Sequence, residues 1–147
     1  MFDVKINFSP AYMDKVNSKN YAKVIEETLA DTAIAAESIT KKEAPVKTGT
    51  LRRSIGFFIK GSIMSGVKTN VKYWVAVEYG TKPHKITPKN KKFLAWKEEG
   101  SWHFAKEVNH PGTEANPFVK RSLNKIKTQN IPAIALAKSL KKNLGDY

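Results

Sequence analysis

From Asn20 to Ala44 the apolar and small residues recur every three to four positions, at Tyr21, Val24/Ile25, Thr28/Leu29, Thr32/Ala33, Ala36 and Ile39. That period specifies a helix of about six turns with one buried stripe. Glu26, Glu27, Asp31 and Glu37 lie mostly in its first two-thirds and Lys41 and Lys42 in its last turn, the order the helix dipole favours. Pro45 forbids continuation, because it pushes residue 44 out of the α region.

The segments around this helix read differently. Phe2, Val4, Ile6 and Phe8 alternate with polar residues, a short strand closed by Ser9-Pro10. After the turn Val46-Lys47-Thr48-Gly49, the stretches Ser54–Lys60, Ser62–Asn70 and Lys72–Tyr79 are rich in β-branched and aromatic residues and punctuated by Gly61, Gly66 and Asn70. They predict a three-stranded antiparallel meander, broken by Gly80-Thr81-Lys82-Pro83. Residues 82–115 form a loop-rich insertion. Within it Phe93, Leu94 and Trp96, then Trp102, Phe104 and Val108, flank Glu98-Glu99-Gly100-Ser101 as a second hairpin, and Asn109-His110-Pro111-Gly112 ends it as a turn. Asn116-Pro117-Phe118 opens a helix, with Asn as cap and Pro in the first turn, where its missing N–H costs nothing. Asn130-Ile131-Pro132 interrupts it before a final Lys-rich helix. The predicted fold class is α+β: an antiparallel sheet packed against a long N-terminal helix and C-terminal helical segments, with a hairpin insertion. The chain reads as one domain over residues 1–147, with a core at about 20–125, the insertion at 82–115 and a helical extension at 126–147.

Charge narrows the partners. Twenty-six Lys and Arg against 13 Asp and Glu give +13 at pH 7, a field that favours polyanions. The one concentration without an acid is Lys82, Lys85, Lys89, Lys91 and Lys92. Lysines beside Phe93, Trp96 and Trp102 are the mixture that tracks a phosphate backbone and stacks bases. Only Arg52, Arg53 and Arg121 could offer the guanidinium forks that read base edges, so such binding would be sequence-independent. A free-standing basic nucleic-acid-binding protein is therefore the alternative function. With no cysteine, disulfides, thiolate zinc sites and iron–sulfur clusters are excluded. No apolar run approaches a membrane span and Met1-Phe2-Asp3-Val4-Lys5 does not open a secretory signal, so a soluble protein made inside the cell, with no membrane partner, is expected.

Catalytic patterns are wanting. His103, Glu107 and His110 are spaced His-x3-Glu-x2-His, which is not the zinc-protease spacing, and on a strand residue 110 would fall on the opposite face from 103 and 107. His84 sits among lysines that oppose a cation. There is no Gly-x-Ser-x-Gly elbow and no phosphate loop. The expectation is no enzyme, no catalytic residue, no metal and no cofactor.

Two segments are more specific. In the first, Pro45 stops a helix, Thr48-Gly49 turns, Leu51 and Ile55 re-enter the core on either side of Ser54, and Arg52 and Arg53 reach outward. The second runs from Tyr73 through Val77, Glu78 and Tyr79 to Gly80-Thr81. In this order, and followed by His110-Pro111-Gly112-Thr113 and Pro117-Phe118, they resemble the small tail-completion or head–tail connector proteins of long-tailed bacteriophages. The resemblance covers about residues 20–125; one departure is Lys47, where many such proteins carry Asp. It implies a non-enzymatic virion protein of the neck, assembled in the host cytoplasm into a ring, commonly sixfold, that joins the head connector to the tail tube or its terminator. Motif residues would then serve subunit contact, with Glu78 pairing to Arg52 or Arg53 of a neighbour. The Lys82–Lys92 loop and the Lys138–Lys142 tail would make variable contacts, including non-specific contact with passing DNA.

Overall fold

The computed structural model describes residues 18–61 and 64–144. The strand expected at Phe2–Phe8 lies outside the described residues. The described chain is α+β and its internal contacts divide into two compact units, one of residues up to Asn70 together with Val119 onward, the other Val71–Phe118.

In the first unit the expected long helix is present as α1 (Ser18–Glu43). Its last backbone bond runs from Ala44 N–H to Thr40 O at 3.0 Å, directly before Pro45. Ala33, Ala36, Thr40 and Ala44 are buried along one stripe, and Val24 is buried on the opposite face, two and a half turns earlier. The side chains of the stripe are small, so a neighbouring backbone can approach closely. A one-turn helix, α2 (Thr50–Ser54), follows, then the hairpin of β1 (Gly56–Lys60) and β2 (Met64–Lys68), paired from Gly56↔Lys68 to Lys60↔Met64. The hairpin and the C-terminal helix α5 (Ile131–Leu144) both pack on α1. Before α5, α4 (Phe118–Thr128) gives way at Asn130, whose φ of 52° closes the helix; the break falls where it was expected, but Ile131 and Pro132 belong to the first turn of α5, where the missing N–H of Pro132 costs nothing.

The seam between α1 and α5 is built of small groups and opposite charges. Ala135 and Ser139 of α5 are buried, and Ser139 Oγ donates to Val24 O at 3.2 Å. Lys138 Nζ meets Asp31 at 2.7 Å, while Lys142 Nζ and Asn143 Nδ2 meet Glu27 at 2.9 and 2.8 Å. At the other end of α1, Glu43 accepts from Arg121 and Lys125 of α4. Lys138 and Lys142, expected to reach outward, are thus engaged within the chain: the seam places acids of the long helix opposite them. The Glu27 carboxyl is held down to about 2, first by Lys142 and then by Asn143. Glu43 is lowered by Lys125 and Arg121, and Glu37 by Lys41 and the Phe57 backbone N–H.

The second unit departs from the expected meander. Lys72–Tyr79 was expected as a third strand; Trp74–Tyr79 is instead a short helix, α3. Its β-branched residues favour extended backbone, yet Trp74, Val77 and Glu78, at one-turn spacing, turn away from solvent together with the small Ala76, and only Val75 and Tyr79 are exposed. Burial of that stripe overrides propensity. The sheet is accordingly not one meander but three antiparallel two-stranded pieces: β1–β2, then β3 (His84–Ile86) with β6 (Val108–His110), and β4 (Leu94–Glu98) with β5 (Ser101–Ala105). The second hairpin stands where the sequence placed it. The insertion is a pair of nested hairpins, β3/β6 forming the stem and β4/β5 the arm.

Because the folded-state values of Glu27, Glu37 and Glu43 are depressed, their stabilising contribution is complete above the ordinary carboxylate value of 4.5 and is lost as pH falls through it toward about 2. Thermal unfolding followed from pH 6 to pH 2.5 should show a falling midpoint across that window. Glu27→Gln should flatten the fall, and high salt should weaken it, since these groups are near solvent. An unchanged acid limb in Glu27→Gln would contradict the seam's electrostatic role.

Candidate assembly surface

In the first motif, Leu51 and Ile55 are buried and Gly49 adopts φ 76°, where an L side chain is strained. Gly49 O accepts the Arg53 backbone N–H at 2.9 Å, which winds Thr50–Ser54 into α2 instead of a strand entry. Leu51 and Ile55, four apart, were the helical signal in the sequence. The Thr48 and Thr50 hydroxyls lie 3.0 Å apart across the turn, so the turn that carries Lys47 is held by threonines. Arg52 reaches back to Ala44 O at 3.1 Å, tying α2 to the end of α1. Ser54 Oγ meets Thr69 Oγ1 at 2.7 Å, closing α2 against the end of the hairpin. Pro45 is half-buried; Val46, Lys47, Thr48, Arg52 and Arg53 are exposed.

In the second motif, Glu78 is only 5% exposed, whereas Tyr73, Val75 and Tyr79 are exposed, Tyr79 by 73%. The expectation that Glu78 pairs with an arginine of a neighbouring subunit is therefore not met by an outward-facing carboxylate: Glu78 is buried. Val75 and Tyr79, one turn apart, form the apolar outward edge of α3. The helix ends at Gly80, φ 71° and ψ −178°, a conformation reserved for glycine. Asn116 N–H caps the Val77 carbonyl at 2.8 Å.

The structure joins this second motif to the third. Thr81 and Thr113 exchange two backbone hydrogen bonds, N to O at 3.0 and 3.1 Å, and their hydroxyls lie 3.0 Å apart. Gly80 and Gly112 flank this bridge and make it possible. A Cβ on Gly80 would sit 2.5 Å from Thr113 O and 2.9 Å from Ala115 N, and one on Gly112 (φ 91°) would collide with Thr81 O. The crossing leaves room for two hydrogens and nothing more. His110 Nδ1 accepts the Gly112 N–H at 3.0 Å, and its ring stacks on His84 at 5.2 Å. Pro111 is exposed, Pro117 half-buried, and Phe118 is buried at the start of α4. The first motif falls in one compact unit and Tyr73–Thr81 with His110–Thr113 in the other.

The histidines considered for metal binding are engaged separately. His103 stacks on Trp96 at 5.4 Å, His110 on His84, and Glu107 faces Lys85 at 3.4 Å. No group of three His, Asp or Glu that could hold a metal ion occurs among the described residues. Lys82, Lys85, Lys89, Lys91 and Lys92 are all exposed. Registers explain this. The isolated bridge Thr81↔Thr113 and the pairs His84↔His110 to Ile86↔Val108 keep one register, and pairing resumes at Leu94↔Ala105. Residues 87–93 therefore stand opposite only 106–107, and the surplus chain, carrying three lysines, is forced outward as a bulge.

Residues 10–80 match the HK97-gp10_like family, described as "Bacteriophage HK97-gp10, putative tail-component". That stretch carries the signature of a phage tail-component family. The match bears out the resemblance to a connector or tail family and covers just under half of the chain. It spans both the Thr-Gly turn and the Tyr73–Gly80 segment and stops before the nested hairpins. No curated protein and no solved structure matches the chain. No helix among the described residues is long and apolar enough to cross a membrane.

Substitution at the crossing should be costly. Gly80→Ala or Gly112→Ala is expected to destabilise the protein by about 2 kcal/mol or more, through both φ strain and the clash. Gly56→Ala, at a position with open space and ordinary φ, should leave stability nearly unchanged. Denaturant titration of the three variants checks this; equal effects would refute the role given to the crossing.

Proposed function

We propose that this chain is a non-enzymatic structural component of a phage virion that acts at the neck, as a ring between the head connector and the tail tube or its terminator, assembled in the host cytoplasm. The observation that carries the reading is the tail-component match over residues 10–80, the stretch that contains both motif segments. The geometry adds a use for those segments. Their buried residues (Leu51, Ile55, Glu78) fix the turns, and what they present outward is Val46, Arg52, Arg53, Tyr73, Val75 and Tyr79. Exposed apolar and aromatic side chains held on a rigid frame are suited to repeated contact between copies, and a heterologous contact closes into a ring when its rotation closes. The positive surface favours placement beside packaged DNA or an acidic connector.

The test is complementation of phage that lack the protein. Val75→Ser with Tyr79→Ser, both exposed, should leave the fold intact by circular dichroism yet lower the yield of infectious particles at least about tenfold, with filled heads and finished tails seen apart. Complete particles assembled in the absence of the protein would overturn the neck reading.

The exposed lysine bulge favours a second reading, sequence-independent nucleic-acid binding by the isolated chain. In that case Lys89→Gln, Lys91→Gln and Lys92→Gln together should reduce the slope of log affinity against log salt by about 3 on duplex DNA. An unchanged slope would assign the bulge to protein contacts.

A further inference from the structure

The β4–β5 hairpin is folded but largely uncovered. Its strands pair chiefly with each other, and along both of them only Leu94 and Ala105, at the root, escape full exposure. Trp102 is 64% and Phe104 68% exposed; they share one face and stack at 6.4 Å. Trp96 and His103 stack on the other face. A two-stranded hairpin with water on both faces is marginal by itself, and aromatic side chains of this size are costly to leave in solvent.

Charge is divided along the arm. Its tip carries Glu98 and Glu99, the only adjacent acidic pair in residues 71–118, with Lys97 next to Glu98 on the opposite face of β4, so the tip is acidic by one charge. Its root is basic, with Lys91 and Lys92 before β4 and Lys106 after β5. Among the described residues, Glu99, Lys91, Lys92 and Lys106 have no ion-pair partner. Four residue steps of extended strand separate Leu94 from Glu98, about 14 Å, so tip and root of one hairpin cannot neutralise each other. Glu99 also holds a left-handed φ of 49° at the turn, a place where Asn or Gly would be cheaper. A carboxylate is kept at the tip against local preference.

We propose that this hairpin is an arm that docks onto a second copy of the chain. The acidic tip lies against the lysine root of the neighbour's arm, and the Trp102–Phe104 face is covered in the join. One element bears both halves of a complementary pair that it cannot close internally, and the next copy supplies the missing half. The contact is heterologous, so each subunit gives a tip and receives one. This rests on the self-assembling reading above and names the element that makes the contact.

The chain has no cysteine, which gives a clean experiment on the full-length protein. Ser101→Cys at the tip and Lys106→Cys at the root leave Glu98, Glu99, Lys91 and Lys92 in place. The two positions are the ends of one extended segment, about 17 Å apart, too far for a disulfide within one chain. Under mild oxidation at low salt, the double variant should give a ladder of dimers, trimers and higher multiples on a denaturing gel. Each single variant should give no ladder, and about 0.5 M salt should suppress the double variant's. As a second measurement, Glu98→Lys/Glu99→Lys and Lys91→Glu/Lys92→Glu should each stay monomeric in sedimentation, and an equimolar mixture should associate again. A double-cysteine chain that remains monomeric, dimers that form equally in Ser101→Cys alone, or charge-reversed variants that associate like the parent would each overturn the proposal. The neck reading stands or falls separately, on whether particles join without the protein.

Discussion

The stripe of small side chains on the long helix governs the first compact unit. Ala33, Ala36, Thr40 and Ala44 place little between one face of the α1 backbone and its neighbours, and on the other face, that of Val24, Glu27 and Asp31, α5 brings up the small Ala135 and Ser139. Close approach of this kind leaves few large apolar groups to bury, so the seam depends on polar order at its margins. Ser139 on Val24 O, Lys142 and Asn143 on Glu27 and Lys138 on Asp31 supply that order. Glu43, gripped by Arg121 and Lys125, does the same where α4 meets the end of α1. Each ion pair contributes little near solvent. Together they fix which way α4 and α5 run against α1, because reversal would set lysines against the lysines of the last turn.

The second unit is organised by exclusion of volume. Two glycines crossing at Thr81 and Thr113 let two chain segments approach more closely than any side chain allows, and that crossing defines the base of the stem. From it the register runs on to Ile86↔Val108, and the mismatch beyond throws the lysine-rich segment outward. The same arithmetic carries the β4–β5 arm clear of the stem. Features that look like separate sequence elements, a Gly-Thr, a Pro-Gly-Thr, a run of lysines and an aromatic hairpin, are consequences of one pairing frame.

Charge, read as a total, overstates what is available for partners. Among the described residues five basic side chains, Lys41, Arg121, Lys125, Lys138 and Lys142, are occupied by acids of α1. The outward excess is concentrated in the bulge at 87–93 and near Arg52 and Arg53. That arrangement separates charge engaged within the fold from charge left on the surface.

The sequence by itself determined the elements whose signal is local. The period from Asn20 to Ala44 with Pro45 gave the long helix, Glu98 to Ser101 between aromatic runs gave the second hairpin, and Asn130-Ile131-Pro132 gave the break between the last helices. Gly49 marks a turn and Leu51 and Ile55 a return to the core, but the one-turn helix between them was not among the expected elements. Tertiary structure alone decided the rest. Lys72–Tyr79 became a helix because burying Trp74, Val77 and Glu78 on one stripe outweighed the β preference of its valines. Glu78 turned inward, and Lys138 and Lys142 were consumed by partners more than a hundred residues away. The meeting of Gly80 with Thr113 has no local signature either, since a glycine's reason for being there is the chain that passes over it. Local period and turn chemistry are written in neighbouring residues; which residues are covered, and by what, depends on segments the neighbours do not contain.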